Sequence, residues 1–485
     1  MDKTTSDLSK TLVIKFGGTS VGTPGAVSQA AEIVRQARED WPRVVVVTSA
    51  MAGVTDLLLN SAARAVNGDL QAISEAAHQL REKHFSVAET LVQDPFEVSL
   101  LKDETDDLVN IFENLSQAMA VLGESTPRAL AAVSGLGERL SVRMLCRVLR
   151  AIPLPCEVVE STRLIVTDSR YQAAHPDLEA SRSRVHDILV PLLDAETVPV
   201  VTGFIAADSQ GVTTTLGRGG SDYSAAILAA ALHASEVWIC TDVDGVMTAD
   251  PHLVPHARTI PSLTYREIAE LAYYGAKVVH PKTIRPVIEA GINLRVCNTF
   301  NPGHFGTRLV PERLPDHATW SPAGGNHIIK AVTAIRGQSL ITIEGRGMLG
   351  VPGVAARAFG AVAATGTSVP LISQASSEQS ICFAVPQESA GQVLDSLELS
   401  FAGELEHGDI DRIWATGEVV IVTVVGAGMR NTPGVAGQIF NALGSCGVNV
   451  IAIAQGSSEV SISLVVDAAD TETAVRAVHD LIIER

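Results

Sequence analysis

The chain has 485 residues, 46% of them hydrophobic, too many for one ordinary core, so two or three domains are expected. A formal net charge of −18 argues against DNA or RNA as a partner, though not against small anionic substrates. Six scattered cysteines without a CxxC pair, a polar Met1–Lys10 and the lack of any bilayer-length apolar run point to reduced thiols in a cytoplasmic protein without signal peptide or anchor.

The first element is an apolar strand, Leu12–Phe16, that runs through Lys15 into Gly17-Gly18-Thr19-Ser20. A lysine fixed at a strand end, followed by glycines that let backbone N–H groups approach an oxyanion, is what a phosphate site needs. A helix is expected after Thr23-Pro24. Arg43–Thr48 reads as a fully buried strand, and 56–125 as mostly helical. Another helix starts near Gly137-Glu138, and Val198–Ile205, Glu236–Thr241 and Asn293–Cys297 are further strands. This alternation implies an α/β fold: an open, mainly parallel sheet with helices on both faces.

Three more segments carry chemistry. Thr213–Asp222 is a second Gly-rich turn opening an apolar helix at Tyr223–Leu232. Asp222 is placed to cap that helix, and Arg218, among glycines, can present its planar fork to a carboxylate or phosphate. Ile239–Pro251 is a buried strand ending at Thr241-Asp242 and followed by an acidic turn, Asp244-Gly245. That turn resembles the opening of a calcium loop, but the remaining ligand positions are missing, so a nucleotide-binding turn at a strand end suits it better. Tyr274–Pro281 sets Lys277 after a glycine, and His280 before Pro281 reads as structural.

Between about Phe300 and Asn326 prolines and glycines mark a linker or long loop. Beyond it the chain repeats itself with a constant offset of 81: Gly345 and Gly426, Pro352 and Pro433, Gln374 and Gln455 correspond. Each copy reads strand, Gly-rich turn, helix, strand, strand, helix. The second copy ends without a last strand, which Ile328–Ile335 is free to supply, so that the first copy would be inserted in the second. Gly345-Arg346-Gly347-Met348-Leu349-Gly350 matches a dinucleotide fingerprint, but its repeat has Asn431 at the third glycine and the unit is small, so dinucleotide binding is set aside. The expected boundaries are 1–308, a linker 309–327, 328–415 with the leading strand, and 416–485.

Two lysines, an arginine and three Gly-rich turns, with no Walker A motif, protein-kinase signature or Ser-His-Asp order, suit phosphoryl transfer, which needs positioning and charge neutralisation more than covalent chemistry. The ordered set KFGGTS, SGLGERLS, TTTLGRGGSD, TDVDGV and GAKVVHP resembles the aspartokinases of the amino-acid-kinase superfamily, and the repeats resemble their tandem ferredoxin-like ACT domains. The resemblance covers about Leu12 to Ile483. It implies ATP-dependent phosphorylation of the L-aspartate side-chain carboxylate to 4-phospho-L-aspartate, the entry to lysine, threonine and methionine biosynthesis. The nucleophile is already ionised near neutral pH and needs no general base.

By this resemblance Lys15, Lys277 and Asp222 are the catalytic positions. Ser49, Thr55, Glu138, Arg218, Gly219, Ser221 and Asp222 hold aspartate. Lys15, Gly17, Gly18, Thr19, Ser20, Thr241, Asp242, Met247, His252 and Lys277 are nucleotide contacts, with Mg²⁺ carried by ATP and no metal site of the protein's own. Met247 and His252 depart from the Tyr and Arg often found there. Gln374 and Gln455 are the expected effector contacts. The C-terminal half is most similar to the threonine-responsive type, including the kinase portion of fused aspartokinase–homoserine dehydrogenases. Threonine is therefore expected ahead of lysine as inhibitor, with a homodimer or higher oligomer formed through the ACT domains and no dehydrogenase domain after Arg485. Other amino-acid kinases, such as those acting on glutamate or acetylglutamate, and a non-catalytic amino-acid sensor are the competing expectations.

Overall fold

A computed structural model describes residues 10–274, 279, 281–310, 328–374, 379–456 and 460–483. The chain divides into two compact units: Met1–Val246, Pro261–Tyr265 and Val278–Arg313 form one, and Met247–Ile260, Arg266–Lys277 and Leu314–Arg485 the other.

The first unit opens with β1 (Thr11–Phe16), α1 (Pro24–Asp40) and β2 (Arg43–Thr48). Thr23 accepts a hydrogen bond from Ala26 N and Pro24 supplies a preset φ, which is why α1 starts there. Five helices follow: α2 (Val54–Val66), α3 (Gln71–Leu91), α4 (Pro95–Leu122), α5 (Pro127–Ser134) and α6 (Leu136–Ala151). Next come β3 (Cys156–Val159), β4 (Val166–Thr167), β5 (Pro176–Asp177), α7 (Leu178–Asp194), β6 (Val198–Thr202), β7 (Ile205–Asp208), β8 (Thr213–Thr215), α8 (Gly220–Ala231) and β9 (Glu236–Thr241). After β10 (Ser262–Thr264) and α9 (Tyr265–Tyr273), which lies mostly in the second unit, the first is completed by α10 (Pro281–Glu289), β11 (Asn293–Asn298) and β12 (Thr307–Val310).

Eight strands form one sheet in the order β10-β12-β11-β9-β1-β2-β6-β3. All its pairings are parallel except β11 with β12. β1 is central. The chain extends the sheet first through β2 to one edge and later through β9 to the other, so a crevice opens at the carboxyl end of β1. Leu12, Ile14, Phe16, Val44 and Val46 join one apolar core with α1–α4 and α6.

Two sequence expectations change. Val198–Ile205 is not one strand: Gly203 and Phe204, the latter at φ +64, turn the chain from β6 into a separate four-stranded sheet, β5-β4-β7-β8. The stretch from Phe300 is not all linker, because Thr307–Val310 buries three of its four residues as β12. So short an apolar run between glycine- and proline-rich flanks carries little periodic signal.

In the second unit β13 (Ala331–Glu344), α11 (Val354–Ala364), β14 (Leu371–Gln374), β15 (Ser380–Pro386), α12 (Ala390–Ser400), α13 (Ala402–His407), β16 (Arg412–Val425), α14 (Val435–Ser445), β17 (Ala452–Gln455), β18 (Ser461–Asp467) and α15 (Thr471–Ile483) build a six-stranded sheet, β14-β15-β13-β16-β18-β17. β13 and β16 are double-length and antiparallel. Ala331–Ile335 pairs with Val425–Ile421, in the second copy's half of the sheet, and Ile341–Glu344 pairs with Ala415–Arg412 in the first copy's half. Register shifts beside Gly337, at φ +67, separate the halves. Each copy therefore takes one strand-half from the other. The repeated glycines lie where this happens: a Cβ on Gly345 would stand 2.4 Å from Asp409 O, and one on Gly426 2.3 Å from Ile328 O.

Candidate active site

The carboxyl edge of the main sheet is stitched strand to strand just beyond the strands themselves. Gly17 N donates to Cys240 O (3.0 Å), Ser49 N to Phe16 O (3.1 Å), Gly203 N to Thr48 O (2.9 Å) and Thr299 N to Thr241 O (2.8 Å). These bonds hold the ends of β1, β2, β6, β9 and β11 as one platform. The Gly17-Gly18 turn has ordinary backbone angles at Gly18, φ −62 and ψ −35. Glycine is required there by space: a Cβ would lie 2.9 Å from Ala50 O.

On this platform sits a cavity of ≈ 470 Å³ lined by Lys15, Ser49, Thr55, Glu138, Arg218, Ser221 and Asp222, with Ala50, Asp56, Phe204, Gly217, Gly219 and Gly220. Three helices, α2, α6 and α8, start at its wall, with glycines as their N-caps (Gly53, Gly135, Gly219). Their first turns contribute Thr55, Glu138, Ser221 and Asp222. Helix N-termini favour negative charge, so three of them together suit an anionic ligand.

Four side chains set the electrostatics. Lys15 Nζ is 2.6 Å from Asp222 Oδ1, and both side chains are largely buried. Asp222 is thus not the cap of α8, as its position before the apolar run suggested. Gly219, at φ +70, holds that place, and the Asp222 carboxylate turns to the lysine instead. Glu138 is 3% exposed. Its Oε1 accepts from Ala50 N at 3.2 Å, while Oε2 is buried without a partner among the described residues. Burial pushes its pKa up to about 7, only partly opposed by the Ala50 hydrogen bond. Arg218 is exposed between Gly217 and Gly219, at φ +77 and +70, and makes no ion pair among the described residues. A buried carboxylate with a free oxygen and a free guanidinium in one cavity can grip the ammonium and carboxylate of an amino acid.

The remaining sequence candidates fall in three groups. Gly17, Gly18 and Thr19 form the turn after β1, and Thr241 and Asp242 lie on the neighbouring strand end. Ser20 belongs to this turn but is fully buried. Its hydroxyl donates to Cys240 O and accepts from Thr299 Oγ1 at 2.7 Å, so it fastens the turn. Met247 and His252 lie in the second unit, on a loop closed by the Met247–Thr259 bridge, with His252 N bonded to Asp250. Lys277 and His280 lie outside the described residues. Asp244 accepts from Asn298 and Asn301, so its carboxylate is engaged within the protein and does not begin a calcium loop.

Three contributors escaped sequence reasoning. Phe204 lines the cavity from a left-handed backbone conformation. Gly203 leaves no room for a Cβ against Ser221 (2.6 Å to Cβ), and Gly137 none against Ala50 (2.7 Å). The only signal for them was an isolated glycine beside an apolar run.

A second cavity, ≈ 370 Å³, lies in the first repeat between the Gly350–Ala355 turn, Met348, Ile381 and Gln374. Gln455 ends β17 as Gln374 ends β14.

The fold and these cavities define an open α/β domain with a charged cavity at its strand ends, in a chain that also carries a pair of repeated α+β modules, and comparison with known proteins gives the family. Residues 10–298 match the amino acid kinase family, and 341–401 and 422–481 match the ACT domain. The chain is 31% identical over 510 residues to an aspartokinase of Schizosaccharomyces pombe, covering 99% of this chain and 94% of that protein. It is 37% identical over 470 residues to the chloroplastic bifunctional aspartokinase/homoserine dehydrogenase 2 of Arabidopsis thaliana, covering 96% of this chain. The chain spans about half the length of that bifunctional relative. The structure of E. coli aspartokinase III in complex with aspartate and ADP superposes with a TM-score of 0.78 at 29% identity, over 98% of this chain and 100% of that one. The same enzyme in complex with lysine and aspartate gives 0.76 at 30%, over 97% and 99%. The chain belongs to the aspartokinases of the amino acid kinase family, with two ACT domains. Among the described residues no helix is long and apolar enough to cross a membrane.

Proposed function

We propose that the protein transfers the γ-phosphoryl group of ATP to the side-chain carboxylate of L-aspartate, giving 4-phospho-L-aspartate and ADP. The observation that carries this reading is the gathering of the Lys15–Asp222 pair, Arg218 and the half-satisfied Glu138 around one cavity. Arg218 takes the α-carboxylate and Glu138 the α-ammonium, with Ser49, Thr55, Gly219 and Ser221 completing the pocket. The aspartate side chain then points toward Lys15. One of its oxygens forms the new P–O bond while the bond to the bridging oxygen of ADP breaks, and no proton moves in this step. Two anions must meet, so Lys15 acts by neutralising charge, and Asp222 keeps it fixed. Lys277 is the second cation in this reading. Gly17, Gly18, Thr19, Thr241 and Asp242 hold the nucleotide, and Ser20 supports them by fixing the turn.

Mg²⁺ fits this donor set as a passenger on the phosphates. Asp222 is already spent on Lys15 and Glu138 is assigned to the ammonium, so Asp56 in the lining and Asp242, exposed at the strand end, are carboxylates at hand. When bound, the ion adds to the neutralisation of phosphate charge.

The second cavity takes an amino-acid inhibitor, threonine ahead of lysine, as an end product of the pathways that 4-phosphoaspartate feeds: lysine, threonine and methionine biosynthesis. Two copies pair through the ACT sheet. Ile372 and Ile453, equivalent in the repeat, are 49% and 45% exposed on its edge strands, an apolar margin that suits a partner. Six free cysteines suit a reducing cytoplasm.

The test is ATP-dependent hydroxamate formation with L-aspartate, glutamate and acetylglutamate. Aspartate alone should trap as the hydroxamate. Preference for another acid, or no acyl phosphate with any, overturns the reading.

A further inference from the structure

We propose that His256, His479 and Asp480 form a binding site for a divalent transition-metal ion of the zinc class. His479 and Asp480 lie on α15, and His256 on the segment Met247–Ile260; both belong to the second unit, apart from every residue named above as aspartate-binding. One ligand atom from each of the three falls within 4.8 Å of the others. His256 Nε2 is 3.8 Å from Asp480 Oδ1, and the two imidazoles meet edge to face with centroids 5.1 Å apart.

The buried histidine points most directly to a ligand. His479 is fully buried, and its Nδ1 has no hydrogen-bond partner among the described residues. A buried nitrogen left unpaired bears its full desolvation penalty, and a metal would remove it. The other nitrogen is fixed: Nε2 lies 2.8 Å from Thr248 Oγ1, which also accepts from Arg258 N at 2.9 Å. A hydroxyl oxygen has two acceptor sites, so it can take both N–H groups. In the tautomer with the proton on Nε2, Nδ1 carries the lone pair, the arrangement by which an outer-shell partner orients a ligating histidine.

The donors suit zinc better than calcium or magnesium. Two imidazoles and a carboxylate are borderline ligands, whereas the hard cations take oxygen alone. Tetrahedral zinc with bonds of about 2.0–2.1 Å sets its ligands about 3.4 Å apart. His256 and Asp480 need to draw in by only about an ångström to reach that spacing, and both side chains are 57% exposed and able to move. Their exposure also gives the ion an entry path and a water for the fourth position. The charges of His256 and Arg258 oppose a cation on His479, while the Asp480 carboxylate offsets them. A bound ion would clamp the segment Met247–Ile260 to α15.

The test uses the full chain carrying Cys446→Ser, since Cys446 is exposed and would bind metal by itself. After chelator treatment it is titrated with Co²⁺, read by the visible bands of a tetrahedral ion, and with Zn²⁺ by equilibrium dialysis. One ion per chain is expected, with affinity at least about tenfold weaker in His256→Ala and in Asp480→Asn. Zinc should raise the melting temperature of the parent and of neither variant. Both substituted residues are surface-exposed, so the folded state is retained. Failure of the parent to bind Zn²⁺ up to about 100 μM, or equal binding by parent and variants, overturns the proposal.

Discussion

Lys15 Nζ and Asp222 Oδ1 meet at 2.6 Å, joining the end of the central strand β1 to the first turn of α8. The pair has a structural and a catalytic role, and the two separate by mutation. Lys15→Ala should lower kcat by at least about 10²-fold, the scale of losing one preorganised charge stabiliser. It also strands a largely buried carboxylate and should lower the melting temperature. The double variant Lys15→Met/Asp222→Asn removes both charges and should regain most of that stability without regaining turnover. Turnover that recovers together with stability would make Lys15 structural only.

Glu138 predicts a pH dependence. Its pKa of about 7 leaves it mostly protonated in the free enzyme below that pH, and only the ionised form pairs with an ammonium. The KM for aspartate should therefore rise about tenfold between roughly pH 8 and roughly pH 6, a rise absent in Glu138→Gln, whose KM is high throughout. Stability moves the other way. The folded pKa lies above the ordinary 4.5 of a solvated glutamate, so the folded state holds a proton that the unfolded chain releases between 4.5 and about 7. Stability falls as pH climbs through that window, and the cost is complete above it. Glu138→Gln should accordingly be more stable than the parent above pH 7, by up to about 3 kcal/mol, and gain nothing below about pH 4.5. Denaturant unfolding of both at the two pH values measures this.

Much of this site was legible in the sequence because its parts are local. A strand-end lysine, a glycine turn and an arginine flanked by glycines are each read within ten residues, and the repeat is read by its offset. Non-local facts were not legible. That Asp222 turns to Lys15, more than two hundred residues earlier, and leaves capping to Gly219 depends on the sheet bringing β1 under α8. That Ser20 spends its hydroxyl on Cys240 and Thr299 depends on three strand ends meeting. The exchange of strand-halves was foreseeable from Ile328–Ile335, but the double length of β13 and β16 was not, because the glycines at 337 and 417 are strand-weakening residues past which the pairing nonetheless resumes after a register shift.

Gly203 tests how tightly the platform sets the chemistry. A Cβ there would lie 2.6 Å from Ser221 Cβ and 2.9 Å from its Cα, and backbone cannot move aside as a flexible side chain can. Gly203→Ala should push the start of α8, and with it Ser221 and Asp222, by a fraction of an ångström or more. A shift near 1 Å costs about 10²-fold in turnover. Gly25→Ala is the control. Gly25 lies in α1 with open space around it, and alanine there should leave turnover unchanged and stabilise slightly. Equal activity of the two variants would show that the crowding at Gly203 is absorbed elsewhere.

The second cavity predicts the effector from its lining. Its walls are apolar, from Met348, Val351, Pro352, Val354 and Ile381, with Gln374 as the polar side chain. None of the described lining residues is a carboxylate, so a lysine ammonium would enter unpaired, whereas a short neutral side chain such as that of threonine fits without that penalty. Threonine should therefore inhibit and raise the melting temperature at lower concentration than lysine. Gln374→Ala should weaken threonine at least about fivefold, the lower range of allosteric couplings. The coupling must also run backward: the factor by which threonine raises the dissociation constant of aspartate is the factor by which aspartate raises that of threonine. Calorimetric titration of each ligand with and without the other measures both factors. Threonine binding that leaves aspartate affinity untouched would detach this cavity from regulation of substrate binding, and tighter binding of lysine than threonine would overturn the assignment from the lining.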